Sequence, residues 1–160
     1  MPMPIKILDA CCGSKMFWFN KKEPHTIYMD IRQENVSYTD RQYTRKVRIQ
    51  PDVIGDFRAM PFPDNSFDHV IFDPPHLIHA GPKSWLRAKY GVLNAQTWQD
   101  DLRQGINECL RVLKPTGTLT FKWNDDQIAF SEVLKAIDHQ PIYGDKRGKT
   151  RWTVFIKEGD

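Results

Sequence analysis

Long apolar runs are missing from this chain. No stretch approaches the ~20 residues a membrane span needs, and the opening Met1-Pro-Met-Pro-Ile-Lys6 has no signal-peptide core. A cytoplasmic protein with no membrane partner is expected. Cysteine is scarce: there are three in 160 residues, and Cys11 and Cys12 are adjacent. That excludes a disulfide framework and a CxxC metal pair. The adjacent pair reads as small residues packed in a tight turn, and no metal is expected. The spaced glycines of the GxGxxG dinucleotide signature are also absent, which counts against an NAD enzyme. Internal repeats and low-complexity segments are lacking, and the net charge is only +3, so total charge says little about partners.

What remains is ordinary for a globular chain, with 40% hydrophobic and 27% charged residues. The length fits one domain over residues 1–160. Ile5–Asp9, Thr26–Asp30, Asp52–Phe57, Phe67–Asp73 and Thr118–Trp123 read as strands. Between them, Trp98–Leu113 carries Leu102, Ile106, Cys109, Leu110 and Leu113 at helical spacing, and Lys114-Pro115 stops it. Asn124 or Asp125 can cap a second helix running to about Asp138. Pro141–Tyr143 and Trp152–Lys157 then form a closing hairpin around Gly144–Lys149. Strands alternating with helices predict a doubly wound, mainly parallel α/β sheet covered on both faces, with a terminal antiparallel hairpin. Residues 31–51 leave little room, so helices there must be reduced or absent.

In such a sheet, ligands bind beyond the carboxyl ends of the strands. Four successive strands end in or beside an acid: Asp9, Asp30, Asp56 and Asp73. The run Val70-Ile-Phe-Asp73-Pro74-Pro75-His76 is the most distinctive. Two consecutive prolines fix two φ angles, remove two N–H donors and force the chain to leave the strand extended. A carboxylate held at the mouth of a sheet with no local donors suits a planar amino group.

The run resembles the Asp/Asn-Pro-Pro-aromatic motif of class I S-adenosylmethionine-dependent methyltransferases that modify amino or amide nitrogens. Asp9-Ala-Cys-Cys-Gly13-Ser14 resembles the glycine turn of that family, although Lys15-Met16-Phe17 stand where further glycines are usual. Gly55-Asp-Phe-Arg-Ala-Met-Pro-Phe-Pro-Asp-Asn-Ser-Phe-Asp68 and Arg111-Val-Leu-Lys-Pro-Thr-Gly117 resemble two further family stretches, in the family order. The resemblance implies a seven-stranded sheet with shortened helices and S-adenosyl-L-methionine as cofactor. Asp9, Ala10, Cys11, Gly13, Asp30, Ile31, Asp56, Phe57 and Asp73 would hold that cofactor. Asp73, Pro74, Pro75 and His76 would be catalytic, His76 standing where an aromatic ring stacks on the target.

Three segments are basic: Arg41, Arg45, Lys46 and Arg48; Lys83, Arg87 and Lys89; and Lys146, Arg147, Lys149 and Arg151. If the sheet order holds, all three emerge at the carboxyl edge, with Tyr38, Tyr43, Trp85, Tyr90 and Trp98 among them. Cations neutralise phosphates and flat rings stack bases, so the expected partner is nucleic acid, DNA or RNA. Residues 76–97 form the expected substrate-side insert, with His76, Lys83, Trp85, Arg87, Lys89 and Tyr90 as substrate contacts and Gly81 and Gly91 as hinges. No separate target-recognition region is visible, so selectivity is low, or comes from a partner subunit, or the substrate is structured RNA. Met16–Phe19 read as core or as a cofactor wall, with core favoured, and Trp152 reads as core. Methylation of a protein or small molecule, and a non-catalytic cofactor-binding subunit, remain alternatives; monomer and homodimer are both open.

Overall fold

The computed structural model describes residues 4–81 and 84–158, without the side chains at 38–40, 85, 86 and 89. In chain order the elements are β1 (Ile7–Asp9), β2 (Thr26–Asp30), β3 (Glu34–Asp40), β4 (Tyr43–Ile49), β5 (Val53–Ile54) and β6 (Phe67–Phe72), followed by α1 (Trp85–Tyr90) and α2 (Trp98–Val112). The chain continues through β7 (Leu113–Asn124), α3 (Phe130–Ile137), β8 (Tyr143–Arg147) and β9 (Thr150–Ile156). Seven strands form one sheet in the order β5-β2-β1-β6-β7-β9-β8, while β3 and β4 pair only with each other. The pairings β1–β2, β1–β6, β2–β5 and β6–β7 are parallel, and β9 runs antiparallel to both β7 and β8. The order reverses at β1, so a crevice opens between the carboxyl ends of β1, β2 and β6.

Helix α2 forms for the reason its pattern suggests. Leu102, Ile106 and Cys109 are fully buried on one stripe, Asp100 and Asp101 stand in the first turn and Arg111 in the last. It ends at Val112, because Lys114 precedes a proline and the chain turns extended at Leu113. Gly105 lets the helix lie close to the sheet. A Cβ there would stand 2.7 Å from both the Phe57 and Phe72 rings. The second helix starts later than its capping residues suggest. Its N-cap is Ala129 rather than Asn124 or Asp125, although Asp125 accepts the Phe130 N–H at 2.9 Å from across a turn.

Helical cover is uneven. Both α2 and α3 pack on the face formed by Leu8, Val70, Phe72, Leu119 and Phe121, which are all fully buried. On the other face, where helical cover was expected, the irregular segment 10–25 leans against the sheet instead. Trp18 meets Tyr28 edge-on at 5.1 Å, and Phe17 meets Trp152 at 5.6 Å. Trp152 is therefore not the core residue its strand position suggests; it stays 36% exposed on the face without helices. Residues 31–51, where helices were expected to be reduced or absent, form the β3–β4 ribbon. Its base is anchored by the buried Val47 and Ile49. No helix among the described residues is long and apolar enough to cross a membrane.

Candidate active site

The cleft at the carboxyl edge holds about 150 Å³ of space open to water-sized groups and widens to solvent at its mouth. Ala10, Cys11 and Gly13 line it from the first turn, Asp30 and Ile31 from the end of β2, Phe57 from the β5–β6 connection, and Asp73, Pro74 and Pro75 from the end of β6. Most of the sequence-predicted cofactor residues thus converge, though they lie far apart in the chain.

The first turn is built by long-range hydrogen bonds. Ala10 N–H donates to Ile71 O at 2.9 Å and Cys12 N–H to Met29 O at 2.8 Å, which ties the turn to both neighbouring strands. Gly13 (φ 51°) and Lys15 (φ 61°) both take the left-handed conformation, a strained choice for a lysine. Lys15 nevertheless leaves the cleft clear. Its ammonium lies 4.1 Å over the Tyr28 ring and donates to Lys21 O at 3.3 Å. Asp30 fixes the turn from the opposite wall, accepting the Gly13 N–H at 2.8 Å and the Arg32 N–H at 2.9 Å.

Asp56 stands apart from this group. Arg58 grips its carboxylate with Nε 3.1 Å from both oxygens and a terminal nitrogen at 2.7 Å, and the side chain is not among those lining the cleft. The tight turn that bridges Asp56 to Ala59 carries Arg58 back onto the acid. At this wall Gly55 and the Phe57 ring face the cleft instead.

The Asp-Pro-Pro turn holds its carboxylate in a guarded position. The Asp73 side chain is 17% exposed, and Lys122, from β7, stands 3.5 Å from it. Burial pushes the Asp73 carboxyl up to about 6, while the Lys122 ammonium pulls it back. Asp9 lies deeper. One oxygen accepts the Trp18 indole N–H at 2.7 Å, and the other is buried with no partner. Burial raises its pKa to about 7, the Trp18 hydrogen bond opposing and the Asp73 charge adding.

This shift has a measurable consequence. A carboxyl raised from 3.8 to about 7 on folding contributes stability that is fully present below about pH 4 and lost as the pH rises through about 7. The effect is on the order of 4 kcal/mol. The ligand-free protein should therefore melt at a lower temperature at pH 8 than at pH 5, and Asp9→Asn should flatten that dependence. An unchanged pH slope in the variant would show that Asp9 does not titrate in this range.

The substrate side differs from expectation. His76 packs against Tyr90 (ring centroids 4.9 Å) and Trp123 (6.3 Å), and burial, with Lys122 nearby, lowers its pKa to about 4. It is a neutral imidazole supporting Tyr90, and the aromatic ring that lines the cleft on this side is Tyr90. Arg87 points away, donating to Ala80 O at 3.3 Å. Lys83 lies outside the described residues, as do the side chains of Trp85 and Lys89.

Some cleft residues take the less favoured of their sequence readings, and Arg32 had none as a cleft residue. Met16 and Phe17 form a wall rather than core, while Phe19, of the same run, is fully exposed. Arg32 lines the mouth and donates to Ala88 O at 2.9 Å, tying the end of β2 to α1. No local pattern marks these residues; only their long-range contacts do. Among the described residues no cluster suited to a metal ion occurs.

The sheet order, the glycine turn and the acid closing β2 define a class I S-adenosylmethionine-dependent methyltransferase. Residues 7–117 match the family model described as a methyltransferase domain, and the chain belongs to that family. A stretch of 75 residues is 37% identical to a demethylmenaquinone methyltransferase of Corynebacterium efficiens, spanning 47% of this chain but 24% of that relative. The fold is similar to an S-adenosylmethionine-dependent methyltransferase structure from Methanosarcina mazei, with TM-score 0.59, 14% identity, and 99% of this chain and 95% of that one covered. It is also similar to the T. thermophilus 16S rRNA N2 G1207 methyltransferase solved with its methyl donor and guanosine, with TM-score 0.56, 14% identity, and 100% of this chain and 37% of that one covered.

S-adenosyl-L-methionine is the cofactor, and the cleft suits it. Gly13, Asp30, Ile31 and Phe57 all line it; the close turn at Gly13 would admit backbone contact, the Asp30 carboxylate would accept from ribose hydroxyls, and Ile31 and Phe57 would wall a flat base. The unpartnered, buried Asp9 oxygen lies behind the same turn.

Proposed function

We propose that the protein transfers a methyl group to the exocyclic amino nitrogen of an adenine or cytosine in nucleic acid. The observation that carries this reading is Asp73 held at the cleft by two prolines, beside the Tyr90 ring. S-adenosylmethionine, when bound, supplies an activated methyl on its sulfonium. The work of this chain is positioning and electrostatics. Asp73 accepts one amino N–H, and the turn, which offers no N–H of its own at Pro74 or Pro75, presents carbonyls to the other. Such acceptors hold the nitrogen lone pair out of conjugation with the ring and stabilise the charge that develops on nitrogen. The surplus proton then passes to the Asp73 carboxylate or to water. Tyr90 offers a stacking surface for the base.

The positions of the basic segments support the nucleic-acid substrate. Residues 31–51 follow β2 and 76–97 follow β6. The β8–β9 turn lies level with the end of β7, where Asn124 pairs with Thr150. All three leave the sheet at its carboxyl edge, on the side of the cleft. A small-molecule substrate is the second reading, favoured by the stretch shared with the demethylmenaquinone enzyme.

The test is incubation with tritium-labelled S-adenosylmethionine and, separately, duplex DNA, single-stranded DNA, total RNA and a lipid-quinone extract. Label in a nucleic-acid pool, recovered as an N-methylated adenine or cytosine, is the expected result. Label confined to the extract would put the small-molecule reading in its place.

A further inference from the structure

The three basic segments are not equivalent. On the β8–β9 hairpin, Lys149 is paired with Asp126 at 2.8 Å and Arg151 with Asp125 at 3.1 Å. Among the described residues no acid pairs with Lys146 or Arg147 of that hairpin, nor with Lys46 or Arg48 of the β3–β4 ribbon.

The register shows how the ribbon is sided. Directly opposed residues of an antiparallel pair share a face. Asn35 opposes Arg48, Ser37 opposes Lys46 and Thr39 opposes Thr44. Val36 opposes Val47, and Glu34 opposes Ile49, on the other face. The buried Val47 and Ile49 turn that second face toward the body of the protein. The first face is left to solvent: Asn35, Ser37, Thr44, Lys46 and Arg48 are all exposed. It carries no acid and no apolar residue.

We propose that this outward face of the ribbon is the docking surface for duplex DNA, seated in the major groove beside the cleft; the inference rests on the nucleic-acid reading above. Three features favour that occupant. The face is cationic and otherwise composed of hydrogen-bonding side chains, which complements phosphates and base edges. A two-stranded ribbon fits the B-form major groove, about 12 Å wide, but not the deep, narrow major groove of A-form RNA. The ribbon also stands where a groove reader must stand. Its base follows directly on Asp30, Ile31 and Arg32 of the cleft, α1 packs against β3, and Arg32 ties the two together. Seven residues per strand reach roughly 20 Å from that base. A duplex held there presents a base that can be turned out of its stack into the cleft.

The test is titration of the whole protein with a fluorescein-labelled duplex of roughly 30 base pairs between about 50 and 200 mM salt, beside the same sequence as single strand and as RNA duplex. The double variant Lys46→Ala/Arg48→Ala should bind the DNA duplex at least about tenfold more weakly. Its slope of log affinity against log salt should fall by about 1.8, the release expected for two phosphate contacts. Binding of S-adenosylmethionine should be unchanged, and Lys135→Ala, exposed on α3, should match wild type. Wild-type affinity and slope in the double variant would overturn the ribbon proposal while leaving methyl transfer to nucleic acid standing. Equal dependence on Lys46 and Arg48 for RNA duplex or single strand would overturn the groove assignment. Wild-type protein that neither binds nor labels any nucleic acid would instead remove the reading on which the proposal rests.

Discussion

Asp73→Ala should lower methyl transfer by 10²–10³-fold or more, the usual cost of removing a preorganised group from a developing charge. Binding of S-adenosylmethionine should change by less than about tenfold, because the glycine turn, Asp30 and Phe57 remain. The reason lies in how the carboxylate is kept. Burial works against its charge, and the Lys122 ammonium 3.5 Å away works for it, leaving a pKa of about 6. Below that pH Asp73 carries a proton and loses acceptor capacity, so transfer should fall about tenfold for each further pH unit. Lys122→Met removes the favourable cation and should move this acid limb upward by roughly one pH unit while sparing the plateau above it. Single-turnover rates across pH 5–9 for wild type, Asp73→Ala and Lys122→Met separate these effects. Transfer by Asp73→Ala within a factor of about five of wild type would remove Asp73 from the chemistry. An acid limb unmoved in Lys122→Met would remove Lys122 from its control.

Asp30→Ala should abolish useful cofactor binding, weakening it by about 10²-fold or more, and should destabilise the free protein by about 2–4 kcal/mol. The carboxylate accepts two backbone N–H groups, from Gly13 at 2.8 Å and Arg32 at 2.9 Å. The residue is 7% exposed, so water restores little of what is lost. Each donor left without a partner costs about 1–3 kcal/mol. The same change frees the turn that must approach the cofactor and removes acceptors for ribose hydroxyls. Calorimetric titration with S-adenosylmethionine and thermal unfolding give the two numbers. A variant that melts like wild type and binds with normal affinity would show that neither the turn nor the cofactor depends on this acid.

Much of this arrangement was legible in the chain itself. The acids that close β1, β2 and β6, the proline pair after Asp73 and the glycine turn are local signals, each set by neighbours a few residues away. Helix α2 was legible for the same reason: Leu102, Ile106 and Cys109 repeat at the period of the helix, and Lys114-Pro115 must break it. These features, taken in order, determined the sheet and the place of the cleft, because a strand-turn-helix pattern of this kind has few ways to fold. Asp56 shows the limit of position within a motif. It sits where the family pattern expects a cofactor contact, yet Arg58 two residues later takes its carboxylate.

The tertiary structure alone decided the rest. Met16, Phe17 and Trp152 are as apolar as core residues, but among the described residues no helix covers the face they occupy, so they become cleft wall and surface. His76 carries the position of a stacking ring, but it is half-buried against Tyr90 and Trp123, and Tyr90 lines the cleft. Lys122 and Asp73 lie 49 residues apart and meet only because β6 and β7 are neighbours in register. The siding of the β3–β4 ribbon likewise depends on its register and on Val47 and Ile49 finding the body of the protein. Composition and periodicity report what a residue and its near neighbours prefer. Which distant groups share a low-dielectric cleft, and so which carboxylates change their charge, is set only when the strands pair.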